Sequence, residues 1–188
     1  MAEDTDVIDL IDRSLDQAGR AIDGVAPDQQ DLATPCASWN VRALVNHVVR
    51  DTQQFALMAR GEKWAPGSID LPPEDWSRTF HDDASSLLSA WREQGELDDA
   101  QRGRASQQIA EFAVHTWDIA RATSQRMTLD DDVAEEGLSW AQANLKPEYR
   151  GSEESGKVFG PEVAVAADAP LPDRLAAWFG RDPSWRPD

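Results

Sequence analysis

The sequence predicts an all-α fold: a four-helix bundle with a short additional helix and an extended C-terminal tail. Apolar residues recur at helical spacing through four long segments. Stretches rich in proline and glycine separate these segments, as expected of connections between helices. Strict alternation of apolar and polar residues is nearly absent, and the run VAVA at 163–166 is the only short segment that looks like a strand.

The first two helices are predicted from their apolar stripes and from residues that can cap them. The first is expected at about residues 5–24, where Asp4 or Thr5 can cap its N-terminus. Its stripe consists of Val7, Ile8, Ile11, Leu15, Ala18, Ile22 and Val25. Ser38 can cap the second helix, which is expected to end near Gly61. The stripe of the second helix consists of Val41, Leu44, Val45, Val48, Thr52 and Phe55.

The remaining helices follow a connection at residues 63–75, which is rich in proline and glycine. A third helix is predicted at about 76–94 and is closed by Gly95, because a glycine readily ends a helix. Its stripe consists of Trp76, Phe80, Leu87, Leu88 and Trp91. A fourth helix is predicted at about 105–124, and a shorter fifth at about 131–145.

The C-terminal part of the chain is expected to wrap around this bundle. Its glycine, proline and charged residues leave one short helical patch, at 173–180, and too little apolar mass for a second core. We therefore predict a helical domain at residues 1–150 and a tail at 151–188 that packs on it.

Composition excludes several classes of partner. The 188 residues carry 35 acidic and 18 basic side chains, a formal charge of −17, so the chain repels nucleic acid and anionic lipid. No apolar run approaches the length of a membrane span, and the start MAEDTDVIDL is acidic where a secretory signal is basic. A single cysteine excludes an internal disulfide framework. We expect a soluble, cytoplasmic protein that binds neither nucleic acid nor membrane.

One pair of residues on the fourth predicted helix points to a small-ligand site. Glu111 and His115 are four residues apart, so their side chains lie on the same face. On the second helix, His47 with Asp51 has the same spacing beside the apolar stripe. The alternative interpretation is that both pairs are solvated or salt-bridged surface groups, since a chain this acidic contains such pairs by chance.

The residue types of this candidate site suit a transition metal. Imidazole nitrogens with a carboxylate favour Zn²⁺, Ni²⁺ or Fe²⁺ over Ca²⁺ or Mg²⁺, and three protein ligands leave room for an outside one. A cation with one anionic ligand lowers the pKa of a thiol or a water molecule that reaches it. Polar neighbours on the same helices could orient the imidazoles by hydrogen bonds to them; the candidates are Asp51, Gln108 and Asp118.

Two other residues are weaker candidates. Cys36 precedes the second helix, whose N-terminal dipole could lower a thiol pKa, but a small buried cysteine in a packed turn is the favoured interpretation. His81 lies next to Asp82 and Asp83 and is expected to be a solvated histidine.

Three segments together resemble one family: LATPCASWNVRALVNHVV at 32–49, EFAVHTWDIARAT at 111–123 and FGPEVAVAADAPLPDRLAAWFGRDP at 159–183. The chain resembles actinobacterial metal-binding proteins related to the N-terminal domain of mycothiol-dependent maleylpyruvate isomerase, in the DinB-like group. The resemblance implies a DinB-like four-helix bundle that binds one divalent metal, usually zinc or nickel. Carried over by position, its ligands are His47, Glu111 and His115.

The same resemblance implies a function. We expect a metal-dependent thiol transferase or isomerase that activates a low-molecular-weight thiol, such as mycothiol, for attack on an electrophilic substrate. The isomerase has a separate C-terminal domain where this chain has its tail, so maleylpyruvate itself is not the expected substrate. The alternatives are a non-catalytic, metal-containing ligand-binding or stress-response protein and a metal-dependent hydrolase. Either a monomer or a homodimer is expected.

Overall fold

All regular secondary structure in the computed structural model is helical; the model describes residues 6–37, 39–63, 67, 69–151, 155, 157 and 159–187. Within these residues no strand is present, and only two isolated β-bridges occur. The predicted all-α class is thus confirmed. The helices are α1 (Val7–Asp23), α2 (Val41–Ala59), α3 (Pro73–Arg92), α4 (Asp99–Ala122), α5 (Asp131–Asn144) and α6 (Leu171–Trp178), with 3₁₀ turns at Pro27–Gln29 and Pro147–Tyr149.

The first four helices form the bundle. Helix α1 packs against α3 and α4, and α2 packs against the same two helices, so α4 lies beside both α1 and α2. Helix α5 then packs on α4 and α1, and α6 packs on α5 and α4. Covered in this way, α4 is buried over most of its surface from Ala105 onward, and this burial places polar residues such as Gln108, His115 and Asp118 in the interior.

The caps differ from those expected from the sequence. Asp6 caps α1, since its carboxylate accepts a hydrogen bond from the backbone N–H of Ile8; Asp4 and Thr5 lie outside the described residues. Asn40 caps α2 by accepting from the N–H of Ala43 at 2.9 Å, and Ser38 also lies outside the described residues.

Two helices begin earlier than their apolar stripes suggest. Helix α3 begins at Pro73, because proline fits the first turn of a helix. Helix α4 begins at Asp99, where Asp98 and Gln101 form a capping box and add polar turns that the stripe does not reveal. The strand-like run at 163–166 does not form a strand, and the N–H of Val163 donates instead to the carbonyl of Ala177.

The end of the chain packs on the bundle. We call residues 159–187 the C-terminal arm; it includes α6, and its Leu175 and Phe179 are buried in the core. The division of the chain at residue 150 stays a prediction. Among the described residues, none of the helices combines the length and the apolar character that a membrane span requires.

Candidate metal centre

Three side chains converge between α2 and α4. The Nε2 atom of His47 lies 3.1 Å from Oε1 of Glu111, and Nε2 of His115 lies 3.1 Å from the same oxygen. One ligand atom from each residue lies within 4.8 Å of the other two. We refer to these three residues as the His-Glu-His cluster.

The helices explain why these residues meet. Glu111 and His115 are one turn apart on α4, so both side chains project to the same side. Helix α2 packs against α4, and the face of α2 that carries His47 and Asp51 is turned towards that side. Asn40 fixes the start of α2 less than two turns earlier, so the cap and the packing together set the position of the imidazole.

The cluster is partly open to solvent. The side chain of His115 is 5% exposed, whereas His47 and Glu111 are 22% and 26% exposed. The site therefore has a buried inner ligand and an accessible outer side, as an open metal site requires.

Electrostatics couples the three groups strongly. Burial alone raises the pKa of Glu111, but the adjacent His115 and His47 outweigh burial and hold that pKa well below its usual range. Burial alone lowers the pKa of His115, but the carboxylates of Glu111 and Asp118 outweigh it and raise this pKa to about 9. The carboxylate of Glu111 is therefore charged at neutral pH, and a cation beside it is favoured.

Asp118 lies behind one imidazole, whereas Asp51 lies on the cluster side of the other. Oδ2 of Asp118, which is completely buried, is 3.1 Å from Nδ1 of His115. Oδ2 of Asp51 is 3.4 Å from Nε2 of His47, the nitrogen that also faces Glu111, while Oδ1 of Asp51 is buried with no hydrogen-bond partner among the described residues. Burial raises the pKa of Asp51. Gln108 is buried on α4, but its Oε1 accepts a hydrogen bond from Nε1 of Trp91 rather than from either imidazole.

The hydrogen-bonding capacity of His115 shows that the cluster fits a cation. An ionised Asp118 only accepts hydrogen bonds, so we assign the proton on Nδ1 of His115 to this contact. In the neutral imidazole, Nε2 then presents a lone pair to Oε1 of Glu111 at 3.1 Å. Two acceptors this close repel each other unless a proton or a metal ion lies between them. Two nitrogens and one carboxylate oxygen are a donor set suited to zinc.

An open cavity of about 480 Å³ adjoins the outer side of the cluster. His47 borders it, and so does Trp39, whose ring lies on the His47 imidazole with 4.3 Å between centroids. Polar and charged groups from the first turns of α2, such as Asn46 and Arg50, line the same cavity together with Ile69. A ligand of moderate size can thus reach the accessible face of His47.

The weaker candidates are not members of the cluster. His81 on α3 is about half exposed, and its Nε2 contacts Asp23 at 3.1 Å. Cys36 is partly buried, and its carbonyl accepts hydrogen bonds from the Thr34 hydroxyl and the Trp39 N–H. Among the described residues, the group able to hold a metal contains neither His81 nor Cys36.

Sequence reasoning missed two neighbours of the cluster. Trp39 was not predicted as a site residue, yet its ring packs against His47 at a tilt of 36° and lies 5.7 Å from His115 between ring centroids. Arg181 of the C-terminal arm was not considered, yet it pairs with Asp118 behind His115. Only the resemblance of segment 159–183 to the same family could have drawn attention to Arg181.

Comparison with known proteins gives one family and two relatives. The sequence profile of the mycothiol maleylpyruvate isomerase N-terminal domain matches residues 11–120, which include all three residues of the cluster. Two uncharacterized proteins of Mycobacterium tuberculosis, from strains CDC 1551 / Oshkosh and ATCC 25618 / H37Rv, are each 29% identical to this chain over 180 residues. Each alignment covers 90% of this chain and 94% of the relative. No solved structure matches significantly.

Proposed function

The chain belongs to the mycothiol maleylpyruvate isomerase N-terminal domain family, and from this premise we propose that it is a metal-dependent thiol transferase or isomerase. It would bind a low-molecular-weight thiol, such as mycothiol, and activate it for attack on an electrophilic substrate. The single observation that carries the proposal is the pair of imidazole nitrogens that face one carboxylate oxygen beside an open cavity.

The metal ligands in this proposal are His47, Glu111 and His115. Zinc is the metal we favour, with nickel or iron as the alternatives, because each accepts a mixed nitrogen and oxygen ligand set. When bound, a divalent cation supplies Lewis acidity that lowers the pKa of an incoming thiol. These three side chains would hold the cation, and the partly exposed His47 and Glu111 would leave its outer side accessible.

The cavity supports the thiol as the outside ligand. Its volume of about 480 Å³ suits a small organic molecule, and His47 lies at its inner border. The ring of Trp39 offers an apolar surface, and the guanidinium of Arg50 offers a polar contact for the rest of the ligand. Asp51, which lies beside His47 and whose pKa is raised by burial, is a candidate acceptor for a proton released nearby.

The test measures metal content and thiol-dependent turnover in the same preparations. We expect wild type to retain about one zinc per chain and to accelerate the reaction of mycothiol with 1-chloro-2,4-dinitrobenzene. His115→Ala should lose both the metal and the acceleration, because it removes the buried ligand. His81→Ala is the matched control, since His81 is an exposed histidine away from the cluster, and it should behave as wild type does.

The outcomes separate the alternatives. Equal metal in wild type and His115→Ala contradicts the ligand assignment. Metal and thiol binding without turnover would favour a non-catalytic binding protein, and hydrolysis of an ester without added thiol would favour a metal-dependent hydrolase.

A further inference from the structure

A buried arginine from the C-terminal arm reaches the back of the His-Glu-His cluster. Arg181 is only 8% exposed, although it follows α6 near the end of the chain. Its Nη2 donates to Oδ2 of Asp118 at 3.0 Å, and its Nε lies 3.3 Å from both oxygens of that carboxylate. Its Nη1 donates to the carbonyl of Phe179 at 2.9 Å, so the guanidinium is fixed at both ends.

Asp118 links this arginine to the cluster. Its Oδ2 atom is within 3.1 Å of Nδ1 of His115 and accepts from Arg181 as well. Continuous polar contacts therefore run from Arg181 through Asp118 and His115 to Glu111. The carboxylate of Asp118 is completely buried, and His115 and Arg181 both contact it, so both help to fix its orientation.

We propose that Arg181 is a positioning residue of the metal site: it fixes the Asp118 carboxylate so that His115 keeps its proton on Nδ1 and directs Nε2 to the metal. This inference rests on the proposed function, because it presupposes that His115 is a metal ligand. The three ligands come from α2 and α4, so Arg181 is the residue that would make the C-terminal arm part of the site.

The arm's backbone brings the guanidinium to this position. Helix α6 ends at Trp178, and Gly180 adopts a φ of +87°, a left-handed conformation that glycine accepts without strain. The N–H of Arg181 then donates to the carbonyl of Ala176 at 2.9 Å, which turns the side chain inward from the end of the helix.

Anchoring of the arm does not by itself account for the ion pair. Leu175 and Phe179 already bury apolar side chains from the arm in the core. A buried ion pair is costly to desolvate, and apolar residues of similar size often hold a structure as well or better. A buried arginine is instead suited to orienting a carboxylate, because its planar fork makes two parallel contacts.

The ion pair also sets the charge of the site. Arg181 neutralises Asp118, so the carboxylate that fixes the imidazole adds no net charge behind it. Of the three ligands, only Glu111 is then anionic, and a divalent cation there keeps positive charge that favours an anionic outside ligand. Loss of the guanidinium would leave a buried, uncompensated carboxylate next to His115.

The test uses the full-length protein and compares Arg181→Met with Arg181→Lys and with Arg186→Met. Arg186 is the matched control because it is exposed on the same arm and, among the described residues, donates to the carbonyls of its neighbours Pro183 and Trp185. Zinc affinity is measured by competition with a chromophoric chelator, and the visible spectrum of the Co²⁺-loaded protein reports ligand geometry. Circular dichroism establishes that each variant is folded.

We expect Arg181→Met to weaken zinc affinity by about 10- to 100-fold and to change the Co²⁺ spectrum, as for other residues that orient a metal ligand. Arg181→Lys keeps the charge but not the planar guanidinium, so its zinc affinity should lie between those of Arg181→Met and wild type. Arg186→Met should match wild type. Arg181→Met with unchanged affinity and spectrum overturns the inference.

A double-mutant cycle keeps the inference testable if Arg181→Met folds poorly. If Arg181 acts through Asp118, the affinity of Arg181→Lys/Asp118→Asn should equal that of Asp118→Asn alone, whereas additive losses overturn the inference. Wild type that binds no metal overturns the proposed function and this inference together. Metal binding without thiol chemistry overturns only the proposed function.

Discussion

At the scale of single residues, a proton and a metal ion compete for one atom, Nε2 of His115. Glu111 and Asp118 face the two nitrogens of this imidazole, and together they raise its pKa to about 9 despite burial. In the metal-free protein the ring is therefore protonated at neutral pH. The same carboxylate that favours the proton favours a divalent cation in its place.

Metal binding is accordingly expected to release a proton. Because the metal-free pKa of His115 lies near 9, binding at pH 7 should displace about one proton from it. Apparent zinc affinity should rise about tenfold per pH unit up to about pH 9 and fall correspondingly as the pH is lowered. Titration calorimetry at pH 7 in two buffers of different ionisation enthalpy measures the released protons. Binding without proton release would contradict the placement of the metal at His115.

The sequence determines some of these residue contacts and not others. Glu111 and His115 are predictable neighbours because helix geometry alone places them on one face. His47 is 64 positions away from Glu111, and periodicity does not say which faces of two helices meet, so spacing left a shared site as one of two interpretations and the family resemblance selected it. Arg181 had no periodic partner, and its contact with Asp118 spans 63 positions.

At the scale of the elements, the close approach of α5 to α4 holds the second layer on the bundle. It depends on Gly137, where a Cβ atom would lie 3.0 Å from Cα of Ala110 and 3.5 Å from Cδ1 of Leu175. The backbone of α4 cannot yield as a flexible side chain can. A side chain at this position would push α5 away from α4 and from the arm.

Two glycine-to-alanine substitutions test this approach against a matched control. Gly137→Ala should lower the free energy of unfolding by about 1 kcal/mol or more, since overpacking outweighs the gain in helix propensity. Gly103→Ala, on exposed α4 surface with no atom within 4 Å of the new Cβ, should raise it by about 0.5–1 kcal/mol. Urea unfolding of both variants measures the difference. Equal stabilisation by the two substitutions would show that α5 can shift away from α4 at little cost, which contradicts a strict requirement for glycine at position 137.

The boundaries of the helices were less predictable than their existence. Apolar periodicity identifies the buried middle of a helix, but the first turns of α4 are polar and were excluded from the predicted segment. Asp98 and Gln101 carry the missing signal in their capping box. Helix α3 likewise begins at a proline, which in a sequence is as often a sign of a loop.

At the scale of the whole molecule, an acidic chain contains the cluster that we propose binds a cation. The formal charge of −17 attracts metal ions in general, but affinity at one place requires ligands that several elements bring together. Here α2 supplies His47, α4 supplies Glu111 and His115, and the arm supplies the arginine behind them. A tertiary site of this kind cannot be read from composition.

X-ray absorption spectroscopy of the zinc-loaded, thiol-free protein tests the central claim, that two histidines and one glutamate from α2 and α4 bind the same ion. The result we predict is two imidazole ligands per zinc, a first shell of nitrogen and oxygen at about 2.0–2.1 Å, and no sulfur. A spectrum that shows fewer than two imidazoles would contradict it. So would a zinc–sulfur distance of about 2.3 Å, because the sulfur would then come from Cys36 or from another residue outside the cluster.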